Sequence, residues 1–206
     1  MLSAVATATT RVQARRTRQQ VRARIVVSAT DLIRRRSYAE LSVDEVMRAA
    51  GLGRTIFYRH FDDLGDLLVR VSQEAIEELY EAQPPLEEVI PGDEIEAIHR
   101  GLEPAVAVYR RHGPLLRAVA EAATSDDQLA RGHAAMRRRF SDLNLRYLSE
   151  ARERGGAALA DVAETAEAMT VMNEAYLLDA FGREPRVSVE VAVRTLSELW
   201  LALVRA

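Results

Sequence analysis

The stretch GLGRTIFYRHF, Gly51 to Phe61, decides how the rest of the chain is read. Gly51 supplies a left-handed stop after Ala49 and Ala50. Arg54 opens a new helix, expected over 54–60, whose Phe57 and Phe61 lie four apart and face a core. Arg54, Thr55, Tyr58 and His60 are left on the other side. Just upstream, LSVDEV places Ser42 three residues before Glu45, the pattern of a capping box, with Val43, Val46 and Met47 inward behind it. Two short helices joined by a tight glycine turn predict a helix-turn-helix, whose second helix enters the major groove of DNA.

The residue types suit that task. Arg54 can reach guanine O6 and N7, the methyls of Thr55 and Ile56 can touch thymine, and Tyr58 and His60 can bond phosphates. Ser42 and the first-turn amides of its helix offer a further phosphate contact. Charge is distributed accordingly. Residues 1–60 hold twelve arginines against Asp31, Glu40, Asp44 and Glu45, a net of +8, so a whole-chain charge of -3 leaves -11 for the remainder. The Arg34-Arg35-Arg36 cluster and the basic N-terminal residues would add sequence-independent attraction.

The chain contains no cysteine, which excludes disulfides, thiolate metal sites and cysteine nucleophiles. His60, His99, His112 and His133 form no metal-ligand spacing, and there is no glycine-rich phosphate loop, so neither an enzyme nor a cofactor or metal is expected. No apolar run reaches 18 residues. A cytoplasmic protein without a membrane partner is the expectation.

Almost every periodic segment reads helical, giving an all-α class with about nine helices. Residues 1–16 lack an apolar stripe and read as a flexible basic arm. Val21, Ile25, Ala29 and Leu32 then mark a first helix over 17–36. Residues 17–62 form the helix-turn-helix domain, and 63–82 a connecting helix capped by Asp62 or Asp63, with the stripe Leu64, Leu67, Leu68, Val71, Ala75, Leu79. QPPLEEVIPG, residues 83–92, breaks the pattern and separates off a larger region, 83–206. Helices are expected there near 93–112, 114–123, 126–153, 160–182 and 187–205, with breaks at His112-Gly113-Pro114, Thr124-Ser125-Asp126, Gly155-Gly156 and Gly182 to Pro185.

LSVDEVMRAAGLGRTIFYRHFDDLGDLL resembles the signature of the TetR family of bacterial transcriptional regulators. The resemblance implies base contacts at Val43, Asp44, Arg54, Thr55 and Ile56, and phosphate contacts at Ser42, Tyr58 and His60. Three positions depart from it. Ser37 stands where the family usually has glycine, Gly53 where it usually has serine, and Leu64 where it has a phosphate-gripping lysine. The family also implies a C-terminal region that binds a small molecule and dimerises.

In that region the last helix is apolar on more than one face, with Val189, Val193, Leu196, Trp200 and Leu203 on one stripe and Val191, Leu199 and Ala202 elsewhere. A terminal helix buried on several sides predicts a twofold homodimer through 160–182 and 187–205. Asn173 interrupts an otherwise apolar surface; it either bonds a neighbouring backbone group or faces a ligand. VMNEAYLLDAF, a following EP turn, the final LW and SDDQLARGHAAMRRRF are similar to the ligand-binding half of EthR-type mycobacterial repressors. That likeness implies a pocket lined by Ala105, Tyr109, Met136, Arg139, Thr170, Asn173 and Trp200. Ala105 and Arg139 stand where that pocket carries bulky aromatics, and Thr170 where it carries asparagine.

The sequence thus points to a dimeric repressor of a palindromic DNA operator, released by a small, mostly apolar effector. The alternative is a helical ligand- or partner-binding protein whose sequence-specific DNA binding has weakened, which the loss of lysine at Leu64 favours.

Overall fold

The computed structural model describes residues 2–82, 94–155 and 159–205, with the backbone alone over 2–16 and at 94, 95 and 97. It is all-helical: α1 (Leu2–Ile33), α2 (Val43–Ala49), α3 (Arg54–Phe57), α4 (Leu64–Glu81), α5 (Glu94–Ala122), α6 (Asp127–Glu153), α7 (Val162–Phe181) and α8 (Val189–Arg205), plus one 3-10 turn at Tyr38–Glu40. No strand occurs among the described residues. The chain divides into two compact units, residues 1–71 and 72–206.

In the first unit α1 packs on α2 and α2 on α3. Ile25, Ala29 and Ile33 of α1, Val46 and Met47 of α2, Phe57, Phe61, and Leu67, Leu68 and Val71 of α4 are buried. The α1 stripe ends on Ile33 in place of Leu32, because residues spaced by four stay on one face through the last turn. Each of the two buried phenylalanines contributes about 2 to 3 kcal/mol by removal from water.

The expected arm at 2–16 is instead helical backbone continuous with α1. Alanine, arginine and glutamine are strong helix formers, and no glycine or proline interrupts them, so a helix nucleated over 17–33 extends backward at little cost.

The division at 71/72 lies within the segment expected as a connecting helix, 63–82. It falls inside α4, whose Leu67, Leu68 and Val71 belong to the first unit while Ala75 and Leu79 join the core of the second. The connection expected at 83–92 lies outside the described residues.

In the second unit α5 packs on α7 and α8, and α6 on α7. The break expected at His112-Gly113-Pro114 does not occur, for α5 runs through both Pro104 and Pro114. Gly113 serves a different purpose. A Cβ there would lie 2.1 Å from the Phe181 carbonyl oxygen, so glycine is what lets α5 meet the end of α7. The other breaks fall as the local chemistry demands. Asp126 caps α6 by accepting from the amides of Gln128 and Leu129 at 2.8 and 2.9 Å, and Asp161 caps α7 by accepting from Glu164 at 3.0 Å. Gly155 adopts φ 84°, the left-handed stop after α6, while Gly156 lies outside the described residues.

Candidate nucleic-acid interface and effector site

α2 starts at a complete capping box: the Glu45 amide donates to Ser42 Oγ at 3.3 Å, and the Ser42 amide donates to Glu45 Oε2 at 3.1 Å. Ser42 Oγ donates to the same carboxylate at 2.9 Å, and Arg36 holds its other oxygen at 2.8 Å. Chiefly through the Ser42 bond, and then through Arg36, the Glu45 carboxyl sits below the ordinary glutamate range. The hydroxyl expected to grip phosphate is therefore committed to the cap; a phosphate reaches it only by displacing Glu45.

α2 ends in a Schellman pair, Leu52 N–H to Met47 O at 2.9 Å and Gly51 N–H to Arg48 O at 3.0 Å. Gly51 carries φ 61°, and a Cβ there would meet Arg24 of α1 at 2.7 Å. α3 is shorter than expected, closing after Phe57 through tighter bonds, Arg59 N–H to Ile56 O and His60 N–H to Phe57 O. Gly53 is its N-cap and provides no side-chain bond. The face division holds: Phe57 is 0% and Phe61 2% exposed, whereas Tyr58 is 52% exposed.

Two groups of expected contact residues emerge. Asp44, Arg54, Thr55 and Tyr58 are exposed, while Val43, Ile56 and His60 are half-buried. Arg54 Nη1 donates to Asp44 Oδ2 at 2.8 Å and Nη2 to the Tyr58 hydroxyl at 3.2 Å, with the guanidinium 5.8 Å from the Tyr58 ring centre. Tyr58 first, then Asp44, push the Arg54 pKa above its already high value.

His60 belongs to a second group that the sequence reading missed. Arg18 of α1 donates to the Arg59 carbonyl at 3.2 Å, and Arg22 lies 5.3 Å over the Phe61 ring. Burial, followed by the charges of Arg18, Arg22 and Arg59, lowers the His60 pKa. Arg18 and Arg22 are four apart on α1, yet arginines surround that helix, so nothing in the sequence marked these two.

At the start of α4, Leu64 is half-buried and acids surround it. Asp63 is the cap, accepting from the Asp66 amide at 2.8 Å, and Asp66 accepts in return from the Asp62 amide at 3.2 Å.

The second unit brings its expected residues together only in part. Tyr109 and Met136 are buried in one cluster with Ala105 packed against it, whereas Trp200 is buried in another beside Met169. Met172 and Leu102 pack against both clusters. Trp200 meets Tyr147 edge-on at 5.8 Å. Buried Thr170 accepts from Asn144 Nδ2 at 2.7 Å and donates to the Ala166 carbonyl at 2.8 Å. Asn173 Oδ1 and Trp200 Nε1 are buried without a hydrogen-bond partner among the described residues. The backbone partner considered for Asn173 thus does not satisfy its oxygen.

Arg139 is exposed and stacks at 4.3 Å on Tyr80, which itself packs against the cluster that holds Tyr109 and Met136. Unforeseen was a polar lock between α6 and α7, His133 Nε2 to Glu174 Oε1 at 2.6 Å and Arg137 Nη2 to Glu167 Oε1 at 3.0 Å. Burial, with the Glu174 charge beside it, raises the Tyr109 pKa.

These observations define a helix-turn-helix with an exposed polar face, followed along the chain by a helical domain with a polar-studded apolar core. Residues 25–71 match the model of the bacterial regulatory proteins of the tetR family, and residues 98–205 match that of the C-terminal domain of the transcriptional regulator EthR. The chain belongs to the TetR family, with an EthR-type C-terminal domain. It is 28% identical to the HTH-type transcriptional regulator EthR of Mycolicibacterium smegmatis, over 87% of this chain and 83% of that protein. Against EthR of Mycobacterium tuberculosis the identity is 25%, over 86% and 83%. The TetR family regulator PfmR of Thermus thermophilus shares the fold, with a TM-score of 0.69 at 23% identity, over 86% of this chain and 97% of that one. The protein is a transcriptional regulator and not an enzyme. No helix among the described residues is long and apolar enough to cross a membrane.

Proposed function

We propose that the protein is a dimeric repressor that binds a palindromic operator and is released by a small, mostly apolar effector. The observation that carries this reading is the exposed face on which Asp44, Arg54, Thr55 and Tyr58 gather, fixed from behind by buried Phe57 and Phe61. Val43 and Ile56 lie at its edge, and His60, with Arg18, Arg22 and Arg59, takes the adjoining phosphates. Ser42 serves by capping α2.

Dimer formation is supported by the outer faces of α7 and α8, where Ala168, Val171 and Ala175 and then Leu199 and Ala202 are exposed. Val171 is 40% and Leu199 45% exposed, which suits burial against a second copy. An effector in the second unit would take its polar contacts from Asn173 Oδ1 and Trp200 Nε1, among Ala105, Tyr109, Met136 and Thr170. By binding one arrangement of the dimer better than another, it would favour a spacing of the two α3 helices that no longer fits successive major grooves.

Footprinting on the DNA flanking the protein's own gene tests the proposal. A protected site with twofold symmetry is the expected result; no protection at concentrations that saturate a family-typical operator would contradict it. The second reading, a ligand- or partner-binding protein with weakened DNA recognition, draws on one observation. Asp62, Asp63 and Asp66 surround the start of α4, where lysine is missing.

A further inference from the structure

We infer that Asp44 is a specificity-determining residue, a buttress that fixes Arg54 as a rigid fork toward one guanine of each half-site. The inference rests on the regulator reading above and adds to it how one base is chosen. Asp44 lies in the first turn of α2 and Arg54 opens α3, so the glycine turn brings an acid and a base ten residues apart to 2.8 Å. Their side chains are 53% and 58% exposed, and Tyr58, which holds the other arm of the fork, is 52% exposed. An exposed ion pair does little for the fold. Its consequence is for the rotamer: a long side chain that wanders in solution is held here at two nitrogens, so less freedom remains to be lost when a base is bound.

The donor count permits both roles together. A guanidinium has five N–H groups. The bonds to Asp44 and Tyr58 use one hydrogen of each Nη, leaving the second hydrogen of each and the Nε–H for guanine O6 and N7. The carboxylate adds discrimination of its own. Placed beside the fork, it repels phosphate oxygens and favours the amino group of an adjacent cytosine, while the guanidinium alone faces the acceptor edge of guanine. It also competes with generic phosphates for Arg54, which lowers affinity for random duplex.

Selection of bound duplexes from a random-sequence pool tests this, using the full-length protein in wild-type, Arg54→Ala, Asp44→Ala and doubly substituted forms, with thermal melting confirming that each is folded. The wild type should select a symmetric site with one guanine per half favoured by roughly tenfold or more. Arg54→Ala should abolish that preference, Asp44→Ala should reduce it below about threefold at the same position, and the double variant should be no worse there than Arg54→Ala, as residues acting as one unit require. Preferences at other positions should persist in all forms, and Asp44→Ala should bind random duplex more tightly.

An Asp44→Ala variant that keeps the full guanine preference overturns the proposal, as does one that loses preference at a different base, which would make Asp44 an independent reader. A wild type that selects no motif removes this proposal together with the regulator reading beneath it, an outcome distinct from either of those.

Discussion

The two units of this chain place their polar chemistry in opposite ways. In the first, the chemistry stands on the outside: Asp44, Arg54 and Tyr58 bond one another across an exposed surface while phenylalanines anchor the helix from behind. In the second it is inside, where Asn173 Oδ1 and Trp200 Nε1 are buried without partners among the described residues and Thr170 is already satisfied. The first suits the hydrated, charged polymer proposed as its partner. The effector proposed for the second would have to be small enough to enter a core and polar enough to meet one or both of the orphaned atoms. An unpaired polar group is inexpensive on a surface and costly in a core, so the orphaned atoms of the second unit cost more stability than the exposed groups of the first.

The largest expected effect strikes the second unit. Gly113→Ala places a Cβ 2.1 Å from a backbone oxygen that cannot rotate away. A loss of about 3 kcal/mol is expected, read as a lowered melting temperature; an unchanged melt would show that α5 and α7 can part without cost.

Asn173→Leu sharpens the contrast, because it removes a buried orphan and its effector contact together. Stability should hold or rise by about 1 kcal/mol, while effector-driven release from DNA is lost; a marked fall in stability would mean that Asn173 is structural.

Leu64→Lys restores a phosphate contact to the exposed site. Affinity should rise alike on specific and random duplexes, and the slope of log affinity against log salt should steepen by about 0.9. A gain confined to one sequence would show that position 64 reaches a base.

The smallest effect concerns His60. Its pKa is lowered in the free protein by burial and by three arginines, so it is largely neutral at pH 7, and nearby phosphates favour its charged form. DNA affinity should therefore increase as pH falls from 8 toward 6, by less than the factor of about ten that one pKa unit carries, with proton uptake visible by calorimetry in buffers of different ionisation enthalpy. Stability of the free protein should run the other way, since the unfolded chain binds the proton more readily and gains as pH falls through that window. His60→Asn should flatten both profiles.

The same contrast explains what the sequence disclosed. Caps and stops are local, so Ser42 with Glu45 and the stop at Gly51 could be placed from spacing alone. The split of α3 into a buried and an exposed side followed from Phe57 and Phe61. Gly113-Pro114 misled because the glycine's meaning is tertiary: it answers to Phe181, 68 residues on, and α5 continues through the proline. The pairing of Asp44 with Arg54 was equally out of reach, although each was named separately, since only the turn geometry decides whether they meet. For the expected effector residues, resemblance alone supplied the positions; Arg139 is exposed and stacks on Tyr80 at the edge of the cluster that holds Tyr109 and Met136.

Reading of base sequence by the α2–α3 face is the property on which the proposed function stands or falls. The most direct measurement is a titration of the protein against DNA from beside its own gene and against random duplex of equal length, at several salt concentrations. A dissociation constant of about 10⁻⁸ M or tighter, with at least about a thousandfold preference over random DNA, is predicted at physiological salt. Binding to both duplexes with equal strength and equal salt slope would contradict it.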